Sequence, residues 1–358
     1  MFHSPLHWKI IQFPLLTMWL DISEECANDR DGLKHHERCA SGVEQMLESD
    51  PILVLVGFAL LMAGGEGVVQ GAVQIAYRLR VPPLLVGFTI VAIGTSLPEL
   101  AVALEAIRTD ADEIAIGGVL GSNVANVMLV LGTAAMLGSG DESGAGIRRD
   151  AIAVIFATVL LTCFVYLGSI PLEGGALMLI LLVSYYGYAY ASSRGKGDQE
   201  EPEESWLPDN IFVALISTII GGAMIWKGAI FLLDGATGLA ETYDIDESIV
   251  GLSMVALGTS LPELAVTLIA AMRNQGGVAV GNVLGSNVMN ILGILGTASV
   301  IGNGIEIASE FAGRDIWVVI LTSGLVAAML LDDREIGPRV GATMVTGYLA
   351  YMAFLYLG

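Results

Sequence analysis

From Pro51 to the C-terminus the chain is a succession of apolar stretches, each about twenty residues long, separated by short polar breaks. A helix of roughly twenty residues crosses about 30 Å of hydrocarbon, so the pattern reads as a bundle of membrane spans. Ten stretches can be placed, at 51–77, 81–107, 114–137, 149–168, 170–192, 209–233, 246–272, 278–302, 314–331 and 336–357. Composition agrees, because 54% hydrophobic and 15% charged residues with a mean hydropathy of +0.70 are too apolar for a soluble domain. The expected fold is an all-α polytopic membrane protein with ten transmembrane helices. Gly, Ser, Thr and Ala recur inside the stretches, where they let membrane helices approach closely.

Much of the chain occurs twice. VGFTIVAIGTSLPELAV begins at Val86 and VGLSMVALGTSLPELAV at Val250, an offset of 164. GVLGSNVANVMLVLGTA at Gly118 and NVLGSNVMNILGILGTA at Asn282 keep that offset, as do QGAVQIA at Gln70 and DGATGLA at Asp234. The chain therefore divides into a first five-helix repeat at 46–193, a charged linker at 194–208 and a second five-helix repeat at 209–358. Five is odd, so the second repeat enters the membrane from the opposite side, giving two inverted repeats. Loops after the odd-numbered spans hold Arg78, Arg80, Arg148, Arg149, Arg194, Lys196, Arg273, Arg334 and Arg339, against only Arg108 and Arg314 after the even-numbered ones. This bias places the linker in the cytoplasm and both termini outside, as expected of a multi-pass protein of the plasma membrane.

Charge excludes several classes of function. Thirty-seven acidic residues against sixteen basic give a net charge of −21, which disfavours nucleic acid as a partner. An acidic, lysine-poor surface suits work in high salt, where self-repulsion is screened. Cys26, Cys39 and Cys163 show neither metal-ligand spacing nor a disulfide framework. His3, His7, His35 and His36 all precede the spans, so the membrane body holds no histidine base or zinc ligand. Residues 1–45 read as a disordered or non-native extension, with Met46 as a start. No cofactor is indicated, and nothing bears on oligomeric state.

Chemistry concentrates in the repeated segments. Glu99 and Glu263 stand in mid-span, where an ionised side chain costs at least about 2.5 kcal/mol unless compensated. A bound cation would compensate both. Each glutamate follows a proline, and Pro98 and Pro262 remove an amide donor and are expected to open the helix, freeing carbonyls near Gly94 and Gly258. With the hydroxyls of Thr95, Ser96, Thr259 and Ser260 these make an all-oxygen environment, which hard cations prefer. Ser122 and Asn126, and likewise Ser286 and Asn290, are four apart and share one helix face, adding neutral oxygens. Taken singly, the small polar residues read as helix packing, but the glutamates lack an evident basic partner, since Lys227 is the only Lys or Arg deep in a span. Glu66, Glu105 and Asp234 lie nearer expected helix ends and read as facing water or the interface.

The paired GTSLPE and GSN-x-x-N segments resemble the repeats of the sodium/calcium exchanger family, prokaryotic type, within the cation/Ca²⁺ antiporter superfamily, and the likeness runs from Pro51 onward. The resemblance implies that the second, third, seventh and eighth spans surround the ion sites while the first and sixth slide to alternate access. It also implies Glu99, Glu263, Thr95, Ser96, Thr259, Ser260, Ser122, Asn126, Ser286, Asn290 and the carbonyls of Ala92 and Ala256 as ion ligands, with Ca²⁺ and Na⁺ as transported ions. One position departs from the family pattern, which often has Asp where this chain has Asn126 or Asn290. Two carboxylates carry a charge of −2, which balances one Ca²⁺ but not three Na⁺.

The function expected is a secondary antiporter exchanging Ca²⁺ for Na⁺ by alternating access, with Ca²⁺ extrusion as its direction. Ca²⁺/H⁺ antiport is the alternative, because buried glutamates can carry protons. A channel is disfavoured by the lack of a filter-like segment. An intramembrane enzyme with Ser96 or Ser260 as nucleophile lacks a base to activate either hydroxyl.

Overall fold

The computed structural model describes residues 50–109, 111–139, 144–195, 207, 208, 210–242, 247–332 and 336–357. The extension at 1–45 and most of the linker at 194–208 lie outside the described residues. So do the side chains of 247–258, among them Ala256.

The apolar stretches become helices close to their expected limits. They are α1 Asp50–Leu79, α2 Pro83–Thr95, α3 Leu97–Arg108, α4 Asp112–Met136, α5 Ala145–Leu167, α6 Leu172–Ser193 and α7 Ile211–Thr242. There follow α8 Glu247–Met272, α9 Gly276–Ile301, the short α10 Glu310–Gly313, α11 Asp315–Leu331 and α12 Pro338–Leu357. Six of these helices are long and apolar enough to cross a membrane, or seven if the bent α2–α3 pair is one span. Two short strands, β1 Ser169–Ile170 and β2 Ile305–Glu306, pair antiparallel and tie the end of α5 to the segment after α9.

Large apolar side chains on α5, α6, α7 and α11, such as Phe156, Val183, Phe212, Ile219 and Leu321, lie exposed, as they must where the surroundings are lipid. At the centre, α9 is buried through its apolar stretch. Glycines let it in there. Gly281 and Gly285 of α9 lie against the backbone of Leu84 and Phe88 on α2, and Gly87 lies against Val278. A side chain at any of these would push α2 and α9 apart.

A second seam joins α1 to α7. Gly57, Gly64 and Gly71 recur every seven residues, and so do Gly221, Gly228 and Gly235, at the same offset of 164. A methyl built on Gly64 would meet the Gly221 carbonyl at 2.6 Å, and one on Gly228 the Gly57 carbonyl at 2.8 Å. The two helices therefore run antiparallel with their backbones nearly touching.

Three departures from expectation concern charge and helix continuity. Arg149 is not a free loop charge, since it pairs with the fully buried Asp150 at 2.7 Å, while donating to Ser192, Ser193 and the Ala189 carbonyl on α6. Eight against two still leaves the bias of the remaining loop charges unchanged in sign. Second, the proline segments are not alike. The first copy breaks at Ser96 with a 44° bend between α2 and α3, whereas α8 runs unbroken through Pro262. Proline removes one hydrogen bond in both, and neighbouring packing decides whether the axis also turns. Third, α2, α4 and α9 contain π-helical stretches at Gly87–Val91, Asn126–Leu131 and Met289–Leu295, which no spacing rule foretold. An extra residue per turn rotates the following side chains, and such stretches are frequent at functional sites.

Candidate cation site

The break at Ser96 puts Glu99 in the first turn of α3, while Glu263 sits one residue beyond Pro262 in α8. Both are buried, at 5% and 0% exposure, and Glu99 lies within Coulombic reach of Glu263. Hydrogen bonds knit the two halves together around them. Ser96 Oγ donates to Glu263 Oε1 at 3.1 Å, and Ser286 Oγ approaches the same oxygen at 3.4 Å. Asn290 Nδ2 donates to Ser122 Oγ at 3.0 Å, again across the halves.

Several polar atoms in this shell have no hydrogen-bond partner. They are both carboxylate oxygens of Glu99, Oε2 of Glu263, Oγ of Ser260, Oδ1 of Asn290 and both side-chain polar atoms of Asn126. Buried polar groups are normally satisfied, so the unpaired oxygens among these are candidate ligands for a cation. Among the described residues no third acidic, histidine or cysteine side chain joins the two glutamates to form a larger group. The donor set is carboxylate, hydroxyl and amide oxygen, fit for a hard cation. Nothing in it suits a soft metal. A small recess of about 30 Å³ between α1, α2 and α7 is lined by Gly94, Thr95, Pro98, Pro262, Thr218 and Trp226 and so reaches Thr95 of this set.

Glu99, Glu263, Ser96, Ser260, Ser122, Ser286, Asn126, Asn290 and Thr95 are all buried, and hydrogen bonds join Thr95, Ser96, Glu263 and Ser286 in one group and Ser122 with Asn290 in another. Thr259 is only partly buried. The Ala92 carbonyl, expected as a ligand, accepts from Ser96 N at 3.1 Å and has Thr95 Oγ1 3.3 Å away. The bend falls four residues later, so Ala92 keeps its helical partner.

The other charges have partners of their own. Lys227 is exposed and lies 4.4 Å over the Phe231 ring on α7. Glu66 is not near a helix end but well inside α1, paired with Arg273 at 2.9 Å and held by Gln70 at 3.0 Å. Glu105 pairs with Arg108 at the exposed end of α3, and Asp234 is exposed on α7, which runs on past 233 to Thr242. Spacing overlooked Asn282, fully buried and bonded to Thr95, Thr267 and the Glu263 carbonyl. The signal was available, since Asn282 is a polar residue where the first repeat has Gly118.

Comparison with known proteins places this geometry in context. A family model described as sodium/calcium exchanger protein matches residues 49–191 and again 213–357. The chain is 33% identical over 310 residues to the putative antiporter CaxA of Alkalimonas amylolytica, covering 85% of this chain and 96% of that protein. It is 29% identical to the sodium/calcium exchanger MaX1 of Methanosarcina acetivorans, covering 87% and 99%. Among solved structures, the sodium-calcium exchanger NCX_Mj soaked with 2.5 mM Na⁺ and 0.1 mM Ca²⁺ superposes with a TM-score of 0.74 at 29% identity, over 85% of this chain and 97% of that one.

Proposed function

Because the chain belongs to the sodium/calcium exchanger family of membrane cation antiporters, we propose that it exchanges Ca²⁺ for Na⁺ by alternating access, extruding Ca²⁺ across the plasma membrane. The observation that carries this reading is the Ser96 to Glu263 bond across the two halves, beside a Glu99 whose oxygens have no protein partner. Two buried carboxylates need about two positive charges. Among the described cations, Arg273 is engaged by Glu66 and Arg108 by Glu105, and one Ca²⁺ supplies the balance.

The ligands proposed are Glu99, Glu263, Thr95, Ser96, Thr259, Ser260, Ser122, Ser286, Asn126 and Asn290. The repeats at 46–193 and 209–358 are proposed as ten spans, α1, α2 with α3, α4 to α9, α11 and α12, inverted about the site. The antiparallel glycine seam between α1 and α7 supports this inversion, as does a family model that fits each half. Termini outside and linker inside follow from the charge bias.

Ca²⁺/H⁺ exchange is a second reading, favoured by the same unpartnered Glu99, because a carboxyl without a metal can carry a proton. The deciding experiment is ⁴⁵Ca²⁺ uptake into proteoliposomes under an imposed Na⁺ gradient or pH gradient. Uptake driven by Na⁺ and lost in Glu99→Gln and Glu263→Gln is expected. Uptake driven by the pH gradient alone moves the assignment to H⁺. Flux that needs no counter-ion overturns antiport, and full flux in either glutamine variant overturns the site.

A further inference from the structure

At the offset of 164, the polar residues of the shell face identical residues in the other repeat: Thr95 and Thr259, Ser96 and Ser260, Glu99 and Glu263, Ser122 and Ser286, Asn123 and Asn287, Asn126 and Asn290. Two positions beside the shell break the match. Asn282 corresponds to Gly118, and Thr267 corresponds to Ala103. The two odd residues of the second repeat bond to each other, Asn282 Nδ2 to Thr267 Oγ1 at 3.0 Å, and both are fully buried.

The orientation of the Asn282 amide is fixed by what surrounds it. Its Nδ2 also lies 3.4 Å from the Glu263 backbone carbonyl, which can only accept, so the NH₂ must point that way. Oδ1 is thereby turned to α2, where it accepts the Thr95 hydroxyl at 3.1 Å. A hydroxyl has one proton. Asn282 Oδ1 is the nearest acceptor, ahead of the Ala92 carbonyl at 3.3 Å and the Ser286 hydroxyl at 3.4 Å, and with the proton on Asn282 the lone pairs of Thr95 Oγ1 are left for the shell, which is the orientation a cation requires. Glu263 Oε1 is at the same time held by Ser96 and Ser286.

Among the described residues the first repeat has no side chain corresponding to Asn282. Position 118 has no side chain and open space where one would be, while Glu99, Ser260 and Asn126 keep unpartnered atoms. One side of the shell is thus organised by the protein and the other is left for the ion to organise.

We propose that Asn282 is a positioning residue that makes the two repeats inequivalent, presetting Thr95 and Glu263 as a fixed oxygen set while the Glu99 side closes around the ion. The proposal rests on the shell being the Ca²⁺ site of an antiporter. Asn282 touches no ion itself. Its effect passes through Thr95, so the two residues should not act additively.

The test uses the full chain in proteoliposomes, with ⁴⁵Ca²⁺ exchange measured for wild type, Asn282→Gly, Thr95→Val and the double variant. Asn282→Gly copies the first repeat. Loss of one buried hydrogen bond to a ligand is expected to raise KM for Ca²⁺ about tenfold with the maximal rate nearly kept, and the double variant to be no worse than Thr95→Val alone. An unchanged KM, or effects that multiply, overturns the proposal. Should Asn282→Gly not yield folded protein, Thr267→Val loosens the amide's anchor and is expected to raise KM about threefold, and no change there overturns it equally. Wild type that shows no counter-ion-dependent Ca²⁺ flux overturns the antiport reading beneath, a result distinct from wild-type flux with an unmoved KM.

Discussion

Ser96 donates to Glu263 across 3.1 Å, while Ser260, which occupies the same place in the other repeat, has no partner for its hydroxyl. The same residue type at the same spacing therefore does different work in the two halves. Ser96→Ala removes a hydrogen bond to a buried carboxylate and is expected to destabilise the ion-free protein by about 1.5–3 kcal/mol. Ser260→Ala has no such bond to lose and is expected to melt like wild type. Thermal unfolding in detergent without Ca²⁺ compares them, and equal melting temperatures would contradict the asymmetry.

The glycine seam makes a steric prediction. A methyl at Gly64 or Gly228 would meet backbone across the α1–α7 interface at 2.6 and 2.8 Å, where nothing can give way without the helices separating. Gly64→Ala and Gly228→Ala are expected to destabilise by about 1–3 kcal/mol each, as overpacked sites do. Gly187→Ala on α6 is the control, because nothing lies within 4 Å of its new methyl. Melting of the purified variants should rank them in that order.

Arg149 and Asp150 form a buried pair, with side-chain exposures of 13% and 0%, and Tyr185 also donates to the carboxylate. Arg149→Ala leaves that carboxylate without its cation and is expected to cost about 3–5 kcal/mol. Arg149→Met with Asp150→Asn removes both charges and should recover most of the loss. Arg314 and Asp315 repeat the same dipeptide at the start of α11 but are half-exposed and partly exposed, and Arg314→Ala should cost less than about 1 kcal/mol. Chemical denaturation of the three variants separates these cases.

Between Glu66 and Arg273 the contact is partly solvated, at 22% and 45% exposure. A double-mutant cycle with Glu66→Gln and Arg273→Gln is expected to return a coupling below about 1 kcal/mol that shrinks with added salt. A larger, salt-independent coupling would show that the pair is shielded from water.

With a net charge of −21, lowering ionic strength should weaken the protein. Reducing choline chloride from about 1 M to about 0.01 M lengthens the screening distance from about 3 Å to about 30 Å, so self-repulsion should lower the melting temperature. Choline separates screening from Na⁺ binding. An unchanged melting temperature would set aside the expectation of a high-salt habitat.

Much of the site was legible because duplication displays what a chain uses twice. Glu99 and Glu263 stood out from an apolar background, and the hydroxyls and amides around them repeated at a constant offset. Asn282 and Thr267 were not singled out, because a search for what the repeats share passes over the positions where they differ. Glu66 was misread because its position relative to the helix end was judged without knowing that Arg273, 207 residues away, folds back to meet it.

Hydrophobic length and the repeat determined, without coordinates, that this chain is helical, that it is built of two related halves and that two carboxylates lie deep within it. These follow from local properties: a run of apolar residues is helical and buried in lipid wherever it falls in the chain. Only the tertiary structure decided which proline segment bends, which serine reaches a glutamate and which Arg-Asp pair is buried. Those outcomes depend on what packs against each element, and GTSLPE meets different neighbours in its two copies. The asymmetry of the shell therefore combines the sequence differences at Asn282 and Thr267 with contacts between the halves, which neither half contains alone.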